Sequence, residues 1–493
     1  MIGIDIGGCN LISAIVSEDL LIFKKPATIG LQSLFSELKN FIGKERVVVT
    51  TSIPLNLLVS KFEEIRTLTL LIPGPGLNYA HYGYILKGYV NHRGDVVEKI
   101  DETEIRKIME REKFQNVAIA SKFSTRNPTL EEDVRKVLRE KFEDKRIALS
   151  YFVGGLNYPA RISTTVINAK LKETIWELSE SISKNLSDFY YLKGDGSISH
   201  YQSVVENPSD LYGSTAVASA FGALFLTKEK NAVVVNIGGI STTLVRIENG
   251  KPVFVDRVEI GGRKTLVRSV DFVSIPLAGN SIVRNGKLTP ECSTPIAFGG
   301  SDFTLTDALN CVGFEIGEFK RSREKNSNAE NVIESFISMI VENLKAIECE
   351  KIVGAGSLAP YLIPEIAKKA GISYIIPKHS EAVCAIGSAV SKISLTLHAR
   401  YDTERGVAIY NGVPERCPFR TGSIPRDEEF IETARKKVLE IAKSFGEQEV
   451  GDIKLLDFNS FTVVKGGMKR GVIADLTLQI EPGIRYGRTK GIL

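Results

Sequence analysis

Methionine, histidine, tryptophan and cysteine are all scarce: 493 residues carry 4 Met, 5 His, 1 Trp and 6 Cys. The cysteines, at 9, 292, 311, 349, 384 and 417, form no Cys-x-x-Cys pair, and no His-x-x-x-His spacing occurs. The ligand spacings of a zinc site are therefore missing. So few cysteines in a long chain suit a reducing compartment rather than a disulfide scaffold. No apolar run reaches the ~20 residues that cross a bilayer; the longest, 216–226, is too short. The start of the chain lacks the basic segment and long apolar stretch of a signal peptide. A cytoplasmic protein outside the membrane is the expectation. Charge of one sign is lacking too. With 63 basic against 59 acidic residues the net charge is +4, and no concentrated basic face argues for nucleic acid. The basic block at Lys320, Arg321, Arg323 and Lys325 reads as a solvated loop. Gly-x-x-x-x-Gly-Lys-Ser/Thr is absent, which excludes a P-loop.

What is present is ordinary globular composition, 43% hydrophobic and 25% charged, in a chain long enough for two to four domains with a core that needs no staples. The first residues alternate, with Ile2, Ile4 and Ile6 separated by Gly3 and Asp5, and Gly7-Gly8 breaks the pattern before residues 11–16 resume it. This predicts strand, tight turn, strand. The same unit recurs around Val233-Val234-Val235, Gly238-Gly239 and 243–247, followed by Asn249-Gly250 as a second hairpin turn. A third glycine element, Gly354-Ala355-Gly356-Ser357, follows the short strand Lys351-Ile352-Val353. Further strands are predicted at 47–51 and 117–120. Helices are predicted from Pro128 through 142, over 173–192, 329–348 and 361–370, and over 428–445 in a strand-rich final segment.

Glycine turns let backbone N–H groups approach phosphate oxygens with no Cβ in the way. Two hairpins of this kind facing each other would clamp a polyphosphate, and an adjacent carboxylate would hold the Mg²⁺ that neutralises it. Asp5 has that position before Gly7-Gly8, while Ser241, Thr242 and Thr243 supply hydroxyls at the second turn. The competing reading of Gly354-x-Gly356-x-x-Ala359 as a dinucleotide fingerprint lacks the acidic residue that should follow about 20 positions on.

Several segments together resemble the hydantoinase A/5-oxoprolinase family of the superfamily that includes actin, sugar kinases and heat-shock ATPases. They are Ile2-Gly3-Ile4-Asp5-Ile6-Gly7-Gly8, the Gly88 to Asp95 stretch with His92-Arg93-Gly94-Asp95, Asn127-Pro128, Arg161-Ile-Ser-Thr-Thr-Val-Ile-Asn168-Ala169, Asp195-Gly196, Asn236-Ile-Gly-Gly-Ile-Ser-Thr242 and Thr304-x-Thr306-Asp307. The resemblance covers roughly residues 1–395 and implies an α/β fold. Two actin-like (ribonuclease H-like) ATPase lobes would enclose a central cleft, with a small α+β module at the C-terminal end. The expected division is 1–170 as the N-terminal-type region, 171–395 as the ATPase region and 396–493 as the module. ATP and Mg²⁺ are the implied cofactors. Gly7, Gly8, Cys9, Asn10, Gly238, Gly239, Ser241, Thr242, Gly354, Gly356 and Ser357 would bind nucleotide. Asp5, Asp307 and Asn236 would be catalytic, with Asp5 also on the metal. Thr164, Thr165 and Asn168 would face the substrate, with His92 and Arg93 as further contacts.

The implied reaction is ATP-dependent opening of a cyclic amide such as a hydantoin or 5-oxoproline, through phosphorylation of its carbonyl oxygen. Carboxylase relatives activate a ketone or bicarbonate, a B-type subunit commonly completes the reaction, and oligomers are expected. This chain departs from the family pattern in having Cys9 for Thr, Asn236 for Asp, and Ala278-Gly279-Asn280-Ser281 for a triple-glycine-serine run. The loss of a carboxylate at 236 favours one alternative, a nucleotide-binding regulatory or structural subunit with little turnover; a small-molecule kinase or carboxylase subunit of the same superfamily is another.

Overall fold

The computed structural model describes residues 1–27, 30–43, 45–324, 328–348, 350–444 and 451–485. Cys349, Lys325, Phe445 and the final residues from Tyr486 lie outside the described residues. The chain opens with β1 (Ile2–Ile6), β2 (Asn10–Val16), β3 (Leu20–Pro26) and β4 (Val47–Thr51), followed by helix α1 (Ile53–Ser60). It then leaves this sheet for β5 (Thr67–Ile72), β6 (Tyr84–Ile85), β7 (Asn116–Ser121) and β8 (Ile147–Leu149). These four pair in parallel in the order β8-β7-β5-β6. Helix α2 (Tyr158–Ser183) leads back to β9 (Tyr190–Leu192) and β10 (Ile198–His200), which complete the first sheet in the order β10-β9-β4-β1-β2-β3.

Helix α3 (Ser214–Thr227) precedes a second sheet of β11 (Ala232–Ile237), β12 (Thr242–Glu248), β13 (Lys251–Pro252), β14 (Phe272–Ile275), β15 (Lys351–Ala355) and β16 (Ser373–Ile375). The two sheets repeat one plan. β1 pairs antiparallel with β2 and parallel with β4, and β4 parallel with β9. Likewise β11 pairs antiparallel with β12 and parallel with β15, and β15 parallel with β16. Asp5 pairs with Ile12, and Asn236 with Thr243, so the two polar residues hold equivalent places. Asn249 and Gly250, with φ of 52° and 75°, turn β12 into β13, as the left-handed preference of Asn-Gly requires.

Helices α4 (Leu305–Cys311), α5 (Ala329–Ala346) and α6 (Ala359–Ala370) bury one face of the second sheet, with Phe336, Ile340, Ile363 and Val235 inaccessible. Helix α7 (Val383–Val390) follows β16 but packs on β1 and β2 of the first sheet and crosses α3. That crossing needs glycine. A Cβ on Gly222 would lie 2.0 Å from the Val383 carbonyl oxygen, and one on Gly387 1.9 Å from that of Ala218. These two helices join the lobes. Helix α3 is apolar on all sides because it lies between both sheets.

The final segment forms a five-stranded sheet of β17 (Thr396–Asp402), β18 (Val407–Tyr410), β19 (Val413–Arg416), β20 (Ile453–Lys465) and β21 (Met468–Ile480), covered by α8 (Asp427–Ser444). Phe430, Ala434, Val438 and Ala442 of α8 fall at four-residue intervals and are fully buried against Tyr401, Leu476 and Leu478. Asp427, Glu428 and Glu429 in its first turn and Lys443 in its last match the helix dipole.

Two helix expectations are corrected. The predicted 173–192 helix is α2, which starts at Tyr158 and runs unbroken through residue 170 to Ser183, while 190–192 is the strand β9. The start signal was Asn157, whose side chain accepts from Ala160 N at 3.1 Å with Pro159 in the first turn. Polar residues concealed it, because Thr164, Thr165 and Asn168 are buried in α2. The predicted helix from Pro128 ends at Leu138, four residues short. Among the described residues no helix is long and apolar enough to cross a membrane.

Candidate functional site

The equivalent hairpins meet at the cleft. In each, the first glycine closes the turn in the same way: Gly7 N donates to Asn10 O at 3.0 Å, and Gly238 N to Ser241 O at 3.2 Å. The second glycines take the contact between lobes. A Cβ on Gly8 would fall 2.1 Å from Ile240 Cδ1, and one on Gly239 2.6 Å from Cys9 Sγ. The residue after each Gly-Gly pair thus rests on the second glycine of the other. Neither glycine has a positive φ, so it is the close approach, not backbone strain, that requires the missing side chains.

A third turn locks onto the second. Gly279 N donates to Gly238 O at 3.1 Å and Asn280 N to Gly239 O at 2.8 Å, while Asn280 Nδ2 reaches Cys9 Sγ at 3.1 Å. Burial and the neighbouring Cys292 push the Cys9 thiol up to about 11, so it is a neutral thiol near pH 7. From α1, Asn56 accepts from Ser241 Oγ at 3.4 Å. The third glycine element closes the group. Gly356 has φ +91°, and a Cβ there would lie 2.2 Å from Ile237 O and 3.0 Å from Asn236 Oδ1. Cofactor candidates from three distant parts of the sequence are therefore brought together.

Asp5 lies on the floor of this group. Part of the residue reaches solvent, yet its Oδ1 is buried and has no hydrogen-bond partner among the described residues. Burial alone pushes its pKa up to about 7. Across the floor, Asn236 Nδ2 lies 3.5 Å from Cys384 Sγ at the start of α7. The Cys384 thiol is itself raised by burial and by the Asp5 carboxylate. A carboxylate oxygen without a donor, beside backbone turns held open by glycine, fits a hydrated cation and the phosphates it accompanies.

Sequence reasoning missed Lys24. Register pairs Lys24 with Ile12, Ile12 with Asp5 and Asp5 with Thr50, and residues directly opposite in neighbouring strands share a face. Lys24 and Asp5 thus stand on one face of the first sheet, two strands or roughly 10 Å apart. Lys24 Nζ crosses to the second lobe and meets Ser357 Oγ at 3.1 Å. Period-two alternation from Ile22 could have marked this lysine's face, but not its partner.

The remaining candidates have other settings. Asp307 is fully buried, and its carboxylate accepts five hydrogen bonds: from the N–H groups of Ile296, Ala297 and Thr304, each at 3.0 Å, and from the hydroxyls of Thr304 at 2.9 Å and Ser322 at 2.6 Å. Thr304 and Asp307 form the capping box of α4, whose first turn ties to the third turn through Thr306 N and Gly279 O at 2.9 Å. Thr242 Oγ1 donates to Leu277 O at 2.8 Å. In α2, Thr164 donates to Ala160 O at 2.8 Å and accepts from Leu266 N at 2.9 Å, and Thr165 donates to Arg161 O at 2.7 Å. Asn168 binds Ser209 N at 2.8 Å and also Asn207. Thr164 and Asn168 fasten α2 to its surroundings, Thr165 bonds back within the helix, and none of the three is brought to the glycine turns. His92 and Arg93 stand in a turn where Arg93 N donates to Asn91 Oδ1 at 2.8 Å.

Comparison with known proteins agrees with this architecture. The chain matches the hydantoinase/oxoprolinase family model over residues 161–347 and the hydantoinase/oxoprolinase N-terminal region model over 66–142. Among solved structures, the nucleotide-free structure of an acetone carboxylase superposes with a TM-score of 0.74 at 15% identity, covering 99% of this chain and 88% of that one. An ATP-dependent caprolactamase from Pseudomonas jessenii superposes with a TM-score of 0.57 at 15% identity, covering 97% and 86%. An uncharacterized protein of Methanocaldococcus jannaschii is 23% identical over 297 residues, 53% of this chain and 43% of that relative, so the match spans less than half of the relative's length. The expected fold, two actin-like lobes about a cleft with an additional C-terminal module, is the one found. The repeated hairpin sheets, the inserted parallel sheet and both family models agree: this chain belongs to the hydantoinase/oxoprolinase family.

Proposed function

We propose that this chain is an ATP-dependent enzyme that activates the carbonyl of a small cyclic amide, a hydantoin- or 5-oxoproline-like ring, for opening by water. The observation that carries the proposal is the meeting of two equivalent glycine turns above a carboxylate with one unpartnered buried oxygen. Bound ATP would supply the phosphoryl group that makes the amide carbon electrophilic. The chain's contribution is positioning and charge neutralisation, which dominate phosphoryl transfer. In this reading Asp5 holds hydrated Mg²⁺, the N–H groups around Gly8 and Gly239 face phosphate oxygens, and Gly354, Gly356 and Ser357 border the nucleoside. Residues 7–10, 238–242 and 278–280 contain no cation, so Lys24 supplies the positive charge that Mg²⁺ leaves unmatched. Asp307 keeps the third turn in place rather than touching the reacting atoms. Thr164, Thr165 and Asn168 act through α2.

The acetone carboxylase and the caprolactamase that this chain resembles are both ATP-dependent, which supports the carbonyl class without choosing the substrate. A B-type partner subunit belongs to the same proposal. A second reading, a nucleotide-responsive subunit with slow turnover, is favoured by the neutral Asn236 opposite Asp5 and by the side-chain contact of Cys9 with Gly239. Phosphate release measured with 5-oxoproline, hydantoin, caprolactam, or acetone with bicarbonate separates the two. Stimulation by one lactam with ring-opened product supports the enzyme. Saturable ATP binding with no stimulation supports the subunit, and a stable phosphorylated product identifies a kinase.

A further inference from the structure

We propose that the seam between the second lobe and the C-terminal module binds a small organic carboxylate, at a site separate from the glycine turns. A cavity of about 250 Å³ opens there between β13, the start of β20 and the end of β21. Three cations line it: Lys251, Arg268 and Lys454. Facing them is Glu481, which pairs with Lys251 and Lys454 at 2.8 Å each. Arg268 Nε meets Asp256, a solvent-exposed residue, at 2.9 Å. The lining itself thus carries three cations against one carboxylate.

Arg268 is held from behind by a buried chain. Its Nη1 donates to Gln479 Oε1, and Gln479, 1% exposed, donates from Nε2 to Asp195 Oδ2 at 3.1 Å. Asp195 is fixed in turn by Ser197 N at 3.0 Å and by Lys193 at 3.7 Å. The guanidinium lies over the Phe254 ring, 5.3 Å from its centre. A guanidinium oriented by a buried amide, which has its own buried carboxylate, is the preorganised support expected behind a ligand group. A salt bridge that only held the module would not need it. The cavity wall also includes Phe254 and Pro482, apolar surface that a bare inorganic anion leaves uncovered. The match is a carboxylate at Arg268 and the lysines with a short apolar body against Phe254.

The test uses the full chain and sodium butyrate, titrated by calorimetry against sodium chloride of equal ionic strength, with inorganic phosphate as a second probe. The expected result is saturable butyrate binding, several-fold tighter than phosphate and unchanged by excess MgATP. Lys454→Gln and Lys251→Gln, both at solvent-exposed lysines, should weaken it about five- to tenfold while leaving the melting temperature in chloride unaltered. Arg268→Gln should abolish it, and if that variant melts early the two lysine variants still decide. Non-saturable heats, equal affinity in the lysine variants, or phosphate binding as tightly as butyrate would overturn the proposal.

Discussion

The thiol of Cys9 lies 2.6 Å from the point where a side chain on Gly239 would begin. Any larger residue at 239 must displace that thiol and the Asn280 amide that donates to it at 3.1 Å. Gly239→Ala should therefore destabilise the closed arrangement by about 1–3 kcal/mol, read as a lower urea midpoint. Cys9→Ala in the same chain should restore part of the loss, because it removes the Sγ at 2.6 Å and leaves only the Cβ at 3.1 Å. Simple additivity of the two substitutions would show that the contact is not what limits residue 239.

Gly8→Ala should cost less than Gly239→Ala. The atom in its way is Ile240 Cδ1, the far end of a side chain with two rotatable bonds, which can swing aside. A midpoint for Gly8→Ala as low as that of Gly239→Ala would contradict the assignment of contacts.

Asp5 links stability to pH. Its folded-state pKa of about 7 lies above the roughly 3.9 of an unfolded aspartate, so the folded chain binds this proton more tightly. Its contribution is fully present below about pH 4 and is lost as pH rises through 7. Asp5→Asn, which carries no charge to bury, should therefore be more stable than the parent above pH 7 and similar to it near pH 4. Denaturation midpoints across that range check the sign, and a parent that gains on Asp5→Asn as pH rises would refute it.

Asp307→Asn should act on folding instead. An amide in place of the carboxylate keeps one accepting oxygen but turns an NH2 toward two or three of the five groups that donate here, at a cost of about 2–4 kcal/mol. Nucleotide affinity of the folded fraction should stay within about twofold if Asp307 touches neither metal nor phosphate. A stable Asp307→Asn protein that has lost turnover would return this residue to the reacting centre.

Lys24→Gln should weaken MgATP binding about five- to tenfold, with Lys24→Arg close to the parent. Equal affinity in all three chains would leave Lys24 as a surface lysine that happens to meet Ser357.

Much of the paired-hairpin geometry was legible in the residues themselves. Gly-Gly after an alternating apolar strand announces a hairpin wherever it occurs, and its repetition announced the second lobe. The family motifs ordered the rest. Thr164 and Asn168 were not legible as buried groups, since their partners, Leu266 and Ser209, are set by how α2 docks, and Thr165 is buried by the same docking. Asp307 looked chemical because a capping box and a catalytic acid use the same residue types. The contact of Cys9 with Gly239 and the reach of Lys24 to Ser357 belong to no local pattern; they arise only when α3 and α7 bring the lobes together.

Calorimetric titration of MgATP near pH 6, in two buffers of different ionisation enthalpy, bears most directly on the cleft. At that pH Asp5 is mostly protonated, so a cation settling on it must expel the proton. One saturable site is predicted, releasing close to one proton in the parent and none from Asp5 in Asp5→Asn. Absence of binding heat, or proton release unchanged by Asp5→Asn, would contradict a metal-bound nucleotide between the two glycine turns.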